Sequence, residues 1–395
     1  MQIGPYIFDR KEFAGSLGDL GTLIPLSIAL IVINGLSVTS VFLMVGLFYI
    51  ACGLYFKLPL PVQPLKVVSA IAIAFPHEIT PQVIAASGLI FGALLILMSL
   101  TGLIDWLAKL FTKPVVRGIQ LGLGLILVTR GIGYIRSPAL FVQQPDSTFN
   151  LLGLPLNLVV GITGAFITLI LLNSRRFPAS LVLVAGGIIV GVASGSLNQI
   201  DFILGPTALD FVVPTAGNFY TALVLLIIPQ IPLTIGNAII STSDTCRSLF
   251  GDNSLTRRTS YRALGISMGL ANLLTGLLTG MPMCHGAGGL AAHHRFGART
   301  GGSNLMIGAV FLVIALVFGT IGISLLMLIP NAVLGILLLF AGLELSILIR
   351  DLNERGDLFL AVLIAGLGFA TTNLGLAFLI GIIVNFLIRR FKISL

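Results

Sequence analysis

Along this chain, apolar runs alternate with short polar breaks from near Leu17 to Ile388. Most of the runs approach the roughly 20 residues that a helix needs to cross a bilayer. Read between the breaks, spans fall near 14–34, 37–56, 62–75, 80–101, 113–134, 155–173 and 178–195. After a polar stretch they resume near 218–242, 259–279, 283–292, 303–324, 327–349, 358–371 and 373–388. The pattern predicts an all-α polytopic membrane protein of fourteen segments. Segments 3 and 10, at 62–75 and 283–292, are too short to cross about 30 Å of hydrocarbon. Both are expected to be half-helices behind extended lead-ins.

Composition agrees with this pattern. Only 9% of the 395 residues are charged and 46 are glycine, with a mean hydropathy of +1.09. A secreted disulfide scaffold, a disordered tail and a cytosolic enzyme are excluded. Three cysteines far apart, Cys52, Cys246 and Cys284, give no disulfide framework. Asp9, Arg10, Lys11 and Glu12 come before any apolar core, so no cleaved signal peptide is expected.

The net charge of +8 would suit a nucleic-acid partner, but the cations sit in short clusters between apolar runs. With both termini cytoplasmic, the inner side receives clusters such as Arg10-Lys11, Arg175-Arg176, Arg257-Arg258 and Arg389-Arg390 together with Lys392. The outer side receives only Arg130 and Arg136, and Lys66 alone falls inside a span. That asymmetry is the positive-inside rule; it argues against nucleic acid and supports the segment count and orientation, and a multi-pass protein of the cell (plasma) membrane is expected.

The two halves of the chain look related. Ser16-Leu17-Gly18-Asp19 resembles Thr234-Ile235-Gly236-Asn237 at a displacement of 218 positions, and Pro61-Val62-Gln63 resembles Pro282-Met283-Cys284 at 221. Pro114 finds a counterpart in Pro330 at 216. Near-equal offsets predict two seven-segment repeats, 1–196 and 218–395, joined by an outer connector at 197–217 that carries Asp201 and Asp210. Seven is odd, so the second repeat enters the membrane inverted, a recurring construction in secondary transporters.

Short, Pro- or Gly-interrupted spans at equivalent places in two halves point to a transport site. Here they are Leu58-Pro59-Leu60-Pro61-Val62-Gln63-Pro64-Leu65-Lys66 and Gly280-Met281-Pro282-Met283-Cys284-His285-Gly286-Ala287-Gly288-Gly289. Two helix starts facing each other near the midplane offer unpaired N–H groups and partial positive charge, which is an anion site. Gln63 and Lys66 share a face, and Cys284, His285, Gly286, Ala287 and Gly288 line the second start. Asp19 and Asn237 come from the matched motifs of segments 1 and 8, and Thr22, three positions after Asp19, is a further candidate. Asp19 is read either as a structural partner of Lys66 or as the carrier of a coupling proton, with Gln120 and Glu344 as further coupling or gating candidates. Glu344 also stands where it could pair with Arg350, and His293 and His294 are placed beside Arg295 at the cytoplasmic rim. Their spacing does not suit a metal, and no cofactor is expected.

At five blocks the chain resembles a known family. They are Glu12–Thr22, Pro61–Lys66, Arg117–Gly122, Leu233–Ala238 and Pro282–Ala291, the last running on to Arg295-Phe296-Gly297-Ala298-Arg299. Together they resemble the molybdate transporter family related to the sulfate permeases. The resemblance implies the fold of sulfate and nucleobase transporters, with a core domain and a gate domain. Segments 1–4 and 8–11 would form the core, segments 5–7 and 12–14 the gate, and the site would lie between segments 3 and 10. It also implies molybdate as substrate and no C-terminal cytoplasmic regulatory domain of the kind sulfate permeases carry.

The expected function is therefore secondary active import of molybdate by alternating access, coupled to protons, with a homodimer as the assembly considered. A sulfate transporter is the nearest alternative, then a nucleobase permease, which would want buried carboxylates where Lys66 and His285 stand. A passive channel and an intramembrane enzyme come after. The enzyme would need a nucleophile or metal set deep in the bundle, and only scattered Ser and His are present.

Overall fold

The computed structural model describes every residue except 111, 145, 147, 152, 173, 175–178, 195–202, 210 and 392–395. Arg175, Arg176, Lys392, Asp201, Asp210 and the expected boundary at 196 and 197 lie outside the described residues. A hairpin of Gln2–Ile3 (β1) and Tyr6–Ile7 (β2) opens the chain. Arg10–Ser16 (α1) and Leu20–Asn34 (α2) form one span bent by 48°. Val38–Phe56 (α3) leads to the strand Gln63–Pro64 (β3) and the short helix Lys66–Ala74 (α4). Pro81–Thr101 (α5), Leu103–Leu110 (α6) and Lys113–Arg136 (α7) follow. A hairpin of Asn150–Leu151 (β4) and Leu154–Pro155 (β5) precedes Leu156–Leu171 (α8) and Ala179–Ala193 (α9).

Ala216–Phe250 is a single helical run made of Ala216–Thr221 (α10), Ile228–Leu233 (α11) and Ser241–Phe250 (α12). Wide π turns at Ala222–Ile227 and Thr234–Ile240 join its three parts. Pro229 and Pro232 lie inside it, and each removes a helical N–H and crowds the preceding turn, which π turns accommodate. The run therefore extends well past the expected end at 242.

Beyond it come Tyr261–Leu277 (α13), the strand Met283–Cys284 (β6) and Ala287–Phe296 (α14). Gly302–Val317 (α15) and Gly319–Met327 (α16) meet at 85°, where the sequence suggested one straight span at 303–324. The connector explains the turn. Gly205 accepts from Thr320 N at 2.9 Å and donates to Val317 O at 2.8 Å, so the broken helix ends are bonded to it. Asn331–Ser346 (α17), Arg355–Thr371 (α18) and Leu374–Phe391 (α19) complete the chain.

Among the described residues, five helices are long and apolar enough to cross a membrane, or seven when each bent pair counts as one span. Large apolar side chains lie exposed along the bundle, such as Leu97 on α5, Phe166 and Ile170 on α8, Ile189 on α9, Val362 on α18 and Phe386 on α19. A surface this apolar is compatible with lipid rather than water.

Three helix pairs approach through reciprocal glycines: α3 with α15 at Gly46 and Gly308, α5 with α13 at Gly92 and Gly269, and α7 with α17 at Gly124 and Gly342. At each, a Cβ would lie within 2.5 to 3.0 Å of the partner's carbonyl oxygen. Small residues are what allow such backbone contact between membrane helices, where no hydrophobic force drives association. Around them lies one large buried cluster built from α2, α3, α4, α5, α7 and their neighbours.

Candidate substrate-binding site

The two lead-ins meet in the buried interior. β3 and β6 pair antiparallel, Gln63 with Cys284 and Pro64 with Met283, and Leu65 N donates to Pro282 O at 2.8 Å. Each strand feeds a helix directly, α4 from Lys66 and α14 from Ala287. The two helix starts therefore lie on either side of one small ladder.

An extended backbone inside a membrane protein must find partners for every carbonyl. Prolines at 59, 61 and 64 offer no N–H, so a full ladder cannot form. Side chains take its place. His293 Nδ1 lies 3.0 Å from Pro59 O, Asn304 Nδ2 donates to Leu60 O at 2.7 Å, and His285 Nδ1 lies 2.9 Å from Pro61 O. Tyr49 Oη donates to Val62 O at 3.4 Å. On the other strand, Asn272 closes both ends of one residue, donating to Met283 O at 2.7 Å and accepting from Met283 N at 2.9 Å.

This corrects two sequence readings. His293 is fully buried against Tyr49 rather than placed on a rim. The His285 ring also points into the protein, bonded to Pro61 O and Ser267 Oγ and packed on Phe48 and Phe56. Only its backbone borders the crossing. Cys284 is buried, with Sγ donating to Pro64 O.

Asp19 sits at the break between α1 and α2, where its backbone carbonyl accepts from Thr22 N and Leu23 N. Gly15 and Gly18 let this break press against the Ala298 and Ala292 backbone. Gln63 Nε2 donates to Asp19 Oδ1 at 2.9 Å. The expected ion pair between Asp19 and Lys66 is not formed, and Lys66 is only half-buried. A carboxamide donor serves the buried carboxylate without stripping water from an ammonium group. Lys66 stands at the start of α4 without an ion pair to Asp19, and Thr22 lies beside the carboxylate.

The helix starts themselves are open. Gln230 Oε1 accepts from Val67 N at 2.9 Å and is held by its Nε2 donating to Thr234 Oγ1. Among the described residues, no protein group accepts from the N–H groups of Lys66 and Val68, nor from those of Ala287, Gly288 and Gly289. A Cβ on Gly289 would lie 2.7 Å from Asp19 Cγ, and one on Gly286 would strike Gln63 Oε1. At Gly288 it would meet nothing within 4 Å. The close approach of backbone to side chain thus falls at Gly286 and Gly289, with Gly288 on the open side.

Asn237 lies half-buried in the second π turn. Gln120 is buried one helix away, accepting from Arg117 Nη1 at 2.8 Å, while Arg117 grips Asp351 through Nε and Nη2 at 3.0 and 2.7 Å. Glu344 is exposed, and among the described residues it pairs with no cation, Arg350 included. No group of three or more His, Cys, Asp or Glu could hold a metal among the described residues. Sequence reasoning missed Gln230, Asn272, Asn304 and Tyr49. The signal available for three of them was an uncharged amide inside an apolar run.

The family model for "Molybdate transporter of MFS superfamily" matches residues 11–127 and 222–345. Molybdate transporter 2 of Arabidopsis thaliana is 31% identical, over 96% of this chain and 87% of its own. The chain belongs to the molybdate transporter family. Molybdate transporter 1 of Chlamydomonas reinhardtii is 27% identical over 94% of this chain and 90% of its own length. Members of the family are named as transporters, not enzymes. Among solved structures, the transmembrane domain of the cyanobacterial bicarbonate transporter BicA aligns with a TM-score of 0.64 at 17% identity, covering 96% of this chain and 98% of its own. SLC26A9 aligns with a TM-score of 0.68 at 14% identity, covering 99% of this chain and 66% of its own. The fold is that of these membrane anion transporters.

Proposed function

We propose that this member of the family is a secondary active importer of molybdate that works by alternating access and is coupled to protons. The observation that carries the reading is the pair of helix starts at the β3–β6 crossing, with five backbone N–H groups lacking protein acceptors. Two such ends suit a tetrahedral dianion held mostly by backbone, with Gln63 beside it and Lys66 adding charge at the rim. Relatives named for molybdate support the choice among oxyanions. Sulfate, with the same shape and charge, is the second reading.

In this reading the chain forms two inverted seven-segment repeats. The glycine contacts support it. Gly46 and Gly269 are 223 residues apart and Gly92 and Gly308 are 216 apart, so the α3–α15 contact maps onto the α5–α13 contact. Helices α1 to α5 with α10 to α16 form the core, and α7 to α9 with α17 to α19 the gate. The protein lies in the plasma membrane with both termini cytoplasmic, and it is a homodimer.

Proteoliposomes test the proposal. Labelled molybdate should accumulate above its external concentration when the interior is made alkaline, and excess tungstate should compete better than sulfate. Equilibration without accumulation would make the protein a passive pathway. Stronger competition by sulfate would change the assigned substrate.

A further inference from the structure

Two buried oxygens at the crossing have no donor. They are Asp19 Oδ2 and Gln63 Oε1, on side chains only 5% and 2% exposed. Both face the first turn of α14, where a Cβ on Gly289 would lie 2.7 Å from Asp19 Oδ2 and 2.7 Å from Gln63 Nε2. The N–H groups of Ala287, Gly288 and Gly289 in that turn have no protein acceptor among the described residues. A carboxylate therefore stands beside the place where an oxyanion must be received.

Resting on the oxyanion-transport reading above, we propose that Asp19 is a tethered stand-in for the substrate, and that an oxyanion is admitted only as Asp19 takes up a proton. Two anions at one buried helix start each disfavour the other's charged form. Protonation removes that conflict and turns Oδ2 from an orphaned acceptor into a donor, free to bond the oxyanion or Gln63 Oε1. Mutual exclusion between Asp19 charge and substrate makes proton and oxyanion travel together. The coupling group is then Asp19, not Gln120, which is held by Arg117, nor the exposed Glu344.

The titratable or charged groups around Asp19 are Lys66 at the start of α4, Tyr49 on α3 and Cys284 on β6. On α14, His293 is turned to Pro59 O, while His294 and Arg295 lie at the far end of the helix from Gly289. Glu12 on α1 is bonded to the Arg299 and Thr300 amides.

The test is calorimetric titration of the purified full-length protein in nanodiscs with molybdate, in buffers of different ionisation enthalpy. The wild type should take up about one proton per molybdate, and affinity should fall about tenfold per pH unit where Asp19 is ionised in the free protein. Asp19→Asn keeps the Gln63 bond with a neutral side chain. It should bind with no proton uptake and no such pH dependence. Proton uptake that persists in Asp19→Asn, or wild-type binding without uptake, overturns this proposal and leaves the oxyanion reading standing. A wild type that binds neither molybdate nor sulfate overturns both. Should Asp19→Asn fail to fold, infrared difference spectra of the wild type decide the matter. Molybdate should raise the carbonyl band of a newly protonated carboxylic acid, and its absence overturns the proposal.

Discussion

The two lead-ins perform the same task with opposite chemistry. The first is rich in proline and has few N–H groups, so four side chains bond its carbonyls one by one, Tyr49, His293 and Asn304 from helices and His285 from the opposite lead-in. The second contains one proline and several glycines, and one amide, Asn272, holds both polar groups of Met283. The first ends in side chains aimed at the site, Gln63 and Lys66, whereas the second ends in nearly bare backbone. In the proposed anion site the labour is thus divided, with one strand carrying the polar side chains and the other, as we propose, leaving room for the substrate.

The largest break in that comparison should come from Asn272→Ala. It strands a buried N–H and a buried C=O of Met283 together, and each unpaired group costs about 1–3 kcal/mol. We expect loss of monodisperse protein, or a large fall in the thermal midpoint of the purified protein. His293→Ala should come next. The four-point grip on the first lead-in distributes the load, and here only the Pro59 carbonyl loses its partner. About 1–3 kcal/mol is expected for the bond, with some lost packing against Tyr49 in addition, read as a lower thermal midpoint with molybdate affinity kept within about tenfold. A His293→Ala protein as stable as wild type would show that the proline-rich strand holds its shape without the histidine.

How much of this could be read in the chain follows from the same contrast. The lead-ins themselves were legible, because Pro59, Pro61, Pro64 and Pro282 interrupt apolar runs at matching places and helices cannot run through them. Asp19 and Gln63 were legible as rare polar groups within spans. Their bond to each other was not, since Lys66, the other isolated charge within a span, suggested itself as the partner. The braces were illegible because they are long-range. Asn304 lies 244 positions from Leu60, and His293 lies 234 from Pro59. A polar residue next to arginine in the sequence, as His293 is, looks like a rim residue until the packing of α14 turns it inward. The bends at Leu17–Asp19 and at Phe318 were missed for a related reason: hydropathy follows composition and does not register the direction of a helix axis.

Gly289→Ala sharpens the comparison on the second strand. Its new methyl would sit 2.7 Å from the Asp19 carboxyl carbon and from Gln63 Nε2, so the Asp19–Gln63 pair has to move. Because a charge-assisted hydrogen bond is worth about 1.5–3 kcal/mol, molybdate affinity should fall by ten- to a hundredfold. Stability should fall by about 1–3 kcal/mol, the usual cost of overpacking. Calorimetry and a thermal midpoint on the same sample measure both.

The smallest effect on folding should come one position earlier. A Cβ at Gly288 meets nothing within 4 Å, and the residue is exposed in an otherwise buried stretch. Replacing it with alanine should change stability by no more than about 0.5 kcal/mol, as for substitutions away from packed features. Valine should be nearly as well tolerated by the fold, because its branches start from a Cβ that meets nothing within 4 Å. Binding is a different matter. If the open side of Gly288 is the approach to the unpaired N–H groups of α14, valine blocks that approach while alanine only narrows it. Gly288→Val should then be monodisperse, melt with the wild type and bind no measurable molybdate, with Gly288→Ala weakened by less than about tenfold. Stability and binding would part company at adjacent glycines, one packed on Asp19 and one facing the substrate. A Gly288→Val protein that binds molybdate normally would place the oxyanion away from this helix start and leave α14 a purely structural half-helix.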